Sequence, residues 1–108
     1  MSVALVYPAP NATSVPDTFN QVVIGTSSAF GDEQSWNIYL QPNGVTGGTL
    51  QSVYPPFPTP YAIPAFDNPT YYSSSFVGQT FASETVTVYL ENPSTYCAPM
   101  TLGNFKTQ

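Results

Sequence analysis

The chain has 108 residues, of which 42% are apolar and 6% charged, with a formal net charge of −5. It contains no histidine, no arginine and one lysine, Lys106, so the usual near-neutral proton shuttle and the guanidinium clamp for phosphate are missing. Most acid–base catalysis, phosphoryl transfer and nucleic-acid binding therefore start without their standard parts, and the length fits one domain spanning residues 1–108 that buries about two-thirds of its unfolded surface.

Twelve prolines spread from Pro8 to Pro99 leave little room for helix, and the segments between them alternate with period two. Val3 to Tyr7 reads as a first strand, with Val3, Leu5 and Tyr7 on one face; Pro8 and Pro10 end it. Phe19 to Thr26 is the second. Its run of Val22, Val23 and Ile24 predicts cover on both faces, and Gly25 marks a bend or a close approach. Ser35 to Gln41 alternates, with Trp36, Ile38 and Leu40 on the core side, where Ig-type sandwiches place a core tryptophan. Pro42, Asn43 and Gly44 form a turn signal, after which Thr49 to Tyr54 is expected to return as the hairpin partner.

Residues 55–69 are rich in proline and aromatics, and read as an edge or an extended loop. Tyr71 to Val77 resumes as strand, with Tyr72, Ser74 and Phe76 sharing a face. Glu84 to Asn92 is the clearest strand: Val86, Val88 and Leu90 face inward. Met100 to Thr107 closes the chain. A bulge at Gly103 is needed to return Phe105 to the core, and Lys106 then points to solvent. About seven short strands at intervals of roughly ten residues predict an all-β fold, an Ig-like or fibronectin-III-like antiparallel sandwich.

The two ends carry a resemblance. Val6 to Pro16, read VYPAPNATSVP, resembles the opening of bacterial Ig-like domains of the S-layer type, in which a strand runs into P-x-x-G/N-A-x-x-V-P. Phe81 to Leu90, FASETVTVYL, is similar to that family's penultimate strand, and Phe105 to Thr107 to its terminal F-x-T. Val86 stands where the family has an aromatic, and the proline-rich middle has no counterpart in the pattern. The resemblance implies one bead of a long surface protein, without catalytic residues. The amino end lacks the basic start and apolar run of a signal peptide, so a secreted origin implies a module taken from a larger protein.

The chemistry-bearing residues are few. Asp32 and Glu33 are the one adjacent acidic pair, and on a strand they would face opposite ways. A calcium site would need Asp17, Asp32, Glu33 and Asp67 to converge; the sequence carries no Asp-x-Asp spacing, and no metal or cofactor is expected. Cys97 stands alone: it is either a small buried apolar side chain or half of an interchain disulfide. Without an imidazole it is a poor nucleophile. Lys106, outward by parity, does not suit an internal Lys–Asn crosslink. Asn11-Ala12-Thr13 fits the N-glycosylation sequon. No run approaches the ~20 apolar residues of a membrane span.

These readings converge on a non-catalytic structural or assembly module, a spacer, stalk or fibre subunit of an extracellular, cell-surface protein. Its expected contact surface is the aromatic, semi-rigid region of residues 54–72: Tyr54, Phe57, Tyr61, Phe66, Tyr71 and Tyr72. The expected partners are neighbouring domains or copies, or a glycan or cell-wall polymer, and neither nucleic acid nor a membrane. The alternative is a carbohydrate- or peptide-binding module with Tyr61, Tyr71 and Tyr72 as stacking residues.

Overall fold

A computed structural model describes residues 2–29, 36–57, 61–92 and 99–108. Eight strands make two antiparallel sheets: β1 (Val3–Tyr7), β2 (Gln21–Thr26), β3 (Asn37–Gln41), β4 (Val45–Thr46), β5 (Gln51–Val53), β6 (Thr70–Ser75), β7 (Thr85–Glu91) and β8 (Met100–Lys106). The first sheet runs β1-β2-β6-β5 and the second β4-β3-β7-β8. That order is the A-B-E-D sheet facing the C-F-G sheet of an Ig-like sandwich, with β4 as an added strand beside C. No helix occurs among the described residues.

Alternation explains the core. Val22 and Ile24 of β2 and Tyr72 of β6 meet Ile38, Leu40, Val86, Val88, Leu90 and Phe105 of the facing sheet, all of them buried. One end is plugged by aromatics: Phe19 stacks on Phe81 at 5.2 Å and meets Phe105 edge-on, also at 5.2 Å. Offset and edge-on arrangements suit the ring quadrupole and add to the area these rings bury. Trp36, expected in the core, lies at its margin, half-buried and packed against it. The bulge expected at Gly103 is present. Val88 pairs with Gly103 but Tyr89 pairs with Thr101, so Leu102 is the extra residue. Gly103 takes φ +150°, Phe105 returns to the core, and Lys106 is exposed.

Two local expectations are corrected. Thr49 to Tyr54 is not the partner of β3. The turn through Gly44, at φ +68°, brings the chain straight back, so Val45 and Thr46 pair with Leu40 and Tyr39. The chain then changes sheets. Gly47 N donates to Ile38 O in one sheet at 2.9 Å, and Gly48 N donates to Ser75 O in the other at 3.2 Å. β5 therefore pairs with β6. A side chain at Gly47 would meet Ser74 Oγ and the Phe76 ring, so the crossing depends on a missing Cβ.

Tyr7 does not share the core face of Leu5. The β1–β2 register shifts between them, Leu5 opposite Ile24 and Tyr7 opposite Val23, leaving Val6 as the extra residue. Both Val6 and Tyr7 then join a second apolar cluster on the outside of the first sheet, with Val23 and Phe57. Because Val23 is buried there, β2 is covered on both faces, as its uninterrupted apolar run predicts.

After β1 the chain switches sheets and runs parallel to β8, with a bridge between Val15 and Thr107. Backbone hydrogen bonds join the two segments: Asn11 N to Asn104 O (2.7 Å), Lys106 N to Ala12 O (2.8 Å), Val15 N to Lys106 O (3.0 Å) and Gln108 N to Val15 O (2.9 Å). Thr107, buried, adds side-chain bonds. Its hydroxyl donates to Phe81 O and accepts from Glu84 N at 2.9 Å.

Candidate contact surfaces

The described part of the proline-rich stretch forms a strap laid across the outer face of the first sheet. Ala62 N donates to Val6 O at 2.7 Å, tying it to β1. Gly25 shows why it can lie so close: a Cβ there would come within 2.9 Å of Pro64 Cγ, and within 3.4 Å of Tyr71 and Val6. Close approach, not a bend, is the role of this glycine. Phe57 anchors the strap, with its ring edge-on to Tyr71 at 5.1 Å and to Tyr61 at 5.9 Å. Burial in this cluster pushes the Tyr7 hydroxyl pKa up from its ordinary value, since the phenolate would lose its water.

The six residues expected to form one contact surface therefore divide. Tyr54 (82% exposed) and Tyr61 (40%) face solvent, beside Ile63 (74%). Phe66 and Tyr71 are half-buried. Phe57 is buried under the strap, and Tyr72, at 2%, sits between the sheets. These last two are corrections to the expected surface. Tyr72 shares the inward parity of Ser74 and Phe76, and a strand side chain serves one face only. The alternative stacking set of Tyr61, Tyr71 and Tyr72 is not assembled, because Tyr71 and Tyr72 point to opposite faces of β6. Beside Tyr54 lies a hollow of about 200 Å³, floored by Val53, Pro55 and Tyr71.

Two further surfaces were not expected. A trough of about 340 Å³ on the uncovered half of the first sheet is lined mainly by amides and hydroxyls, among them Asn20, Gln21, Gln51, Ser73 and Ser75. On the outside of the second sheet Tyr39 and Tyr89 stand opposite each other in register. Alternation places each on its outward face; that they meet depends on how β3 pairs with β7, for which the sequence holds no local signal.

Among the described residues no three acidic or thiol side chains gather into a metal-binding group. Asp32, Glu33 and Cys97 lie outside the described residues, as do Pro58 and Pro60. No helix among the described residues is long and apolar enough to cross a membrane. Comparison with known proteins returned no matching family model, no significantly similar curated protein and no significantly similar solved structure.

Proposed function

We propose that the chain is a non-catalytic, load-bearing module of a secreted or cell-surface protein, of the kind its resemblance to S-layer-type Ig-like domains implies. The observation that carries this reading is the pairing of residues 11–15 with β8. The first of these segments leads back to the amino end and the second on to the carboxyl end, and they run parallel. Tension between the two ends then pulls the segments in opposite directions along their length. The four backbone bonds between them are loaded together, in shear, instead of opening one at a time. The composition supports the same reading: the exterior carries few charges, so packing against a neighbour desolvates little. Tyr54, Tyr61 and Ile63, among the exposed apolar residues, are offered to such a neighbour on the strap side.

Force spectroscopy on a tandem repeat of the chain tests this. Unfolding through the two ends is expected to need markedly more force than unfolding with one tether moved to Ser52 on β5, which peels an edge strand. Lys106→Pro, which removes the donor to Ala12 O, is expected to lower the end-to-end force. Equal forces in the two geometries would refute the load-bearing reading.

A further inference from the structure

The outer face of the second sheet carries an aromatic site remote from the strap. Tyr39 of β3 lies opposite Tyr89 of β7. Their ring centroids are 6.3 Å apart and their planes are inclined by 47°. The Tyr39 ring is held in place, and the Tyr89 ring leans on it. Gln41 Nε2 donates to the Tyr39 hydroxyl at 2.8 Å, and a Cβ at Gly44 would already touch that hydroxyl at 3.4 Å. With Gln41 and Pro99 the two rings bound a shallow hollow of about 230 Å³.

Register surrounds this pair with uncharged polar groups. Thr46 and Thr101 flank the tyrosines in the same cross-strand row, and Gln41, Thr87 and Asn104 form the next row. Among the described residues, charge enters outside these two rows, with Glu91 on one side and Lys106 on the other.

We propose that this face binds a neutral polysaccharide, with a hexopyranose ring stacked on Tyr89 and its hydroxyls bonded to Gln41, Thr87 and Asn104. A pyranose has an apolar C–H face and a polar rim. The tyrosine ring matches the first by dispersion and by its electron-rich face. Amides and hydroxyls, which both donate and accept, match the second. Charge complementarity selects the neutral class. The two central rows hold no cation for a sulfate, phosphate or carboxylate, and the net charge of −5 repels polyanions. A protein partner fits less well, because stable interfaces need a broad apolar centre and, among the described residues, the hollow offers two rings and Pro99. Tyr39 is held before any ligand arrives, so binding need not order that side of the hollow. This assignment does not depend on the load-bearing reading: that reading rests on the backbone bonds between residues 11–15 and β8, whereas the face is built from outward side chains of β3, β7 and β8.

Affinity electrophoresis tests it, in native gels each containing barley β-glucan, xyloglucan, galactomannan or, as the charged comparison, polygalacturonate. The wild-type chain is expected to be retarded by at least one neutral polysaccharide and not by polygalacturonate. Tyr89→Ala is expected to weaken that retardation about tenfold, whereas Tyr89→Phe, which keeps the ring face, preserves it. Tyr54→Ala, on the other sheet, is expected to change nothing. Asn104→Ala, at an exposed position, reports on the same face by a severalfold loss if Tyr89→Ala fails to fold. Absence of retardation in all three neutral gels would overturn the proposal, as would equal loss in Tyr54→Ala. Retardation by polygalacturonate alone, or a concentration-dependent dimer broken by Tyr89→Ala, assigns the face to another occupant and overturns it too.

Discussion

Gly47→Ala is the sharpest probe of how the chain passes from one sheet to the other. Gly47 does not occupy a left-handed conformation, so alanine brings no backbone penalty and the effect isolates the steric one. The new methyl collides with Ser74 Oγ and with the edge of the Phe76 ring, and both residues are buried. Ser74 can rotate away only by giving up its 2.6 Å hydrogen bond to Gly48 O. Overpacking a core costs about 1–3 kcal/mol, and stranding a buried polar group costs about 1–3 kcal/mol more. The expected loss is therefore about 2–6 kcal/mol, a large share of the roughly 5–15 kcal/mol that holds a domain of this size. Urea unfolding followed by the fluorescence of Trp36 measures it; the midpoint is expected to fall by about 1 M or more. Ser74→Ala in the same chain removes the colliding oxygen, so the double variant is expected to lose less than the sum of the singles. A loss below about 0.5 kcal/mol, or strict additivity, would refute the account of the crossing.

Other outcomes follow from the same packing. Gly25→Ala is expected to lift the strap off β2, speeding proteolysis within residues 54–66 more than it lowers global stability; an unchanged digestion pattern would contradict the contact with Pro64. Thr107→Val keeps the volume but strands Phe81 O and Glu84 N, and is expected to cost about 1–3 kcal/mol in thermal melts. The raised pKa of Tyr7 means that above about pH 10 the unfolded chain releases a proton that the folded chain retains. Stability from this group is complete below that pH and falls as pH rises toward the folded-state value. Tyr7→Phe is expected to flatten part of that alkaline slope in denaturant titrations, and an identical slope would rule Tyr7 out as its source. Tyr54→Ser is expected to abolish any self-association seen at high concentration by light scattering, whereas association unaffected by it would move the contact surface away from the strap.

Much of the architecture was legible because a strand's faces are set by its own residues. Side chains alternate with a period of two, so Val86, Val88 and Leu90 declare an inward face wherever their strand ends up. The unbroken apolar run of β2 announced two covered faces, and the odd parity of Phe105 announced a bulge at Gly103. The same local rule had already turned Tyr72 inward with Ser74 and Phe76, so its assignment to a contact surface contradicted its own parity. What only tertiary structure decided is which strand lies next to which. The apolar pattern of residues 45–54 is the same whether they return to β3 or cross to β6, and the crossing is open to them because Gly47 puts no Cβ where Ser74 and Phe76 close in. Val6 as an extra residue sends Tyr7 to the other side of its sheet, a shift visible only once β2 supplies the register. The strap's anchor at Phe57 and the meeting of Tyr39 with Tyr89 likewise join residues far apart in the chain. Periodicity is a property of a segment alone, whereas partnership is settled by competition among distant segments for the same hydrogen bonds and the same buried space.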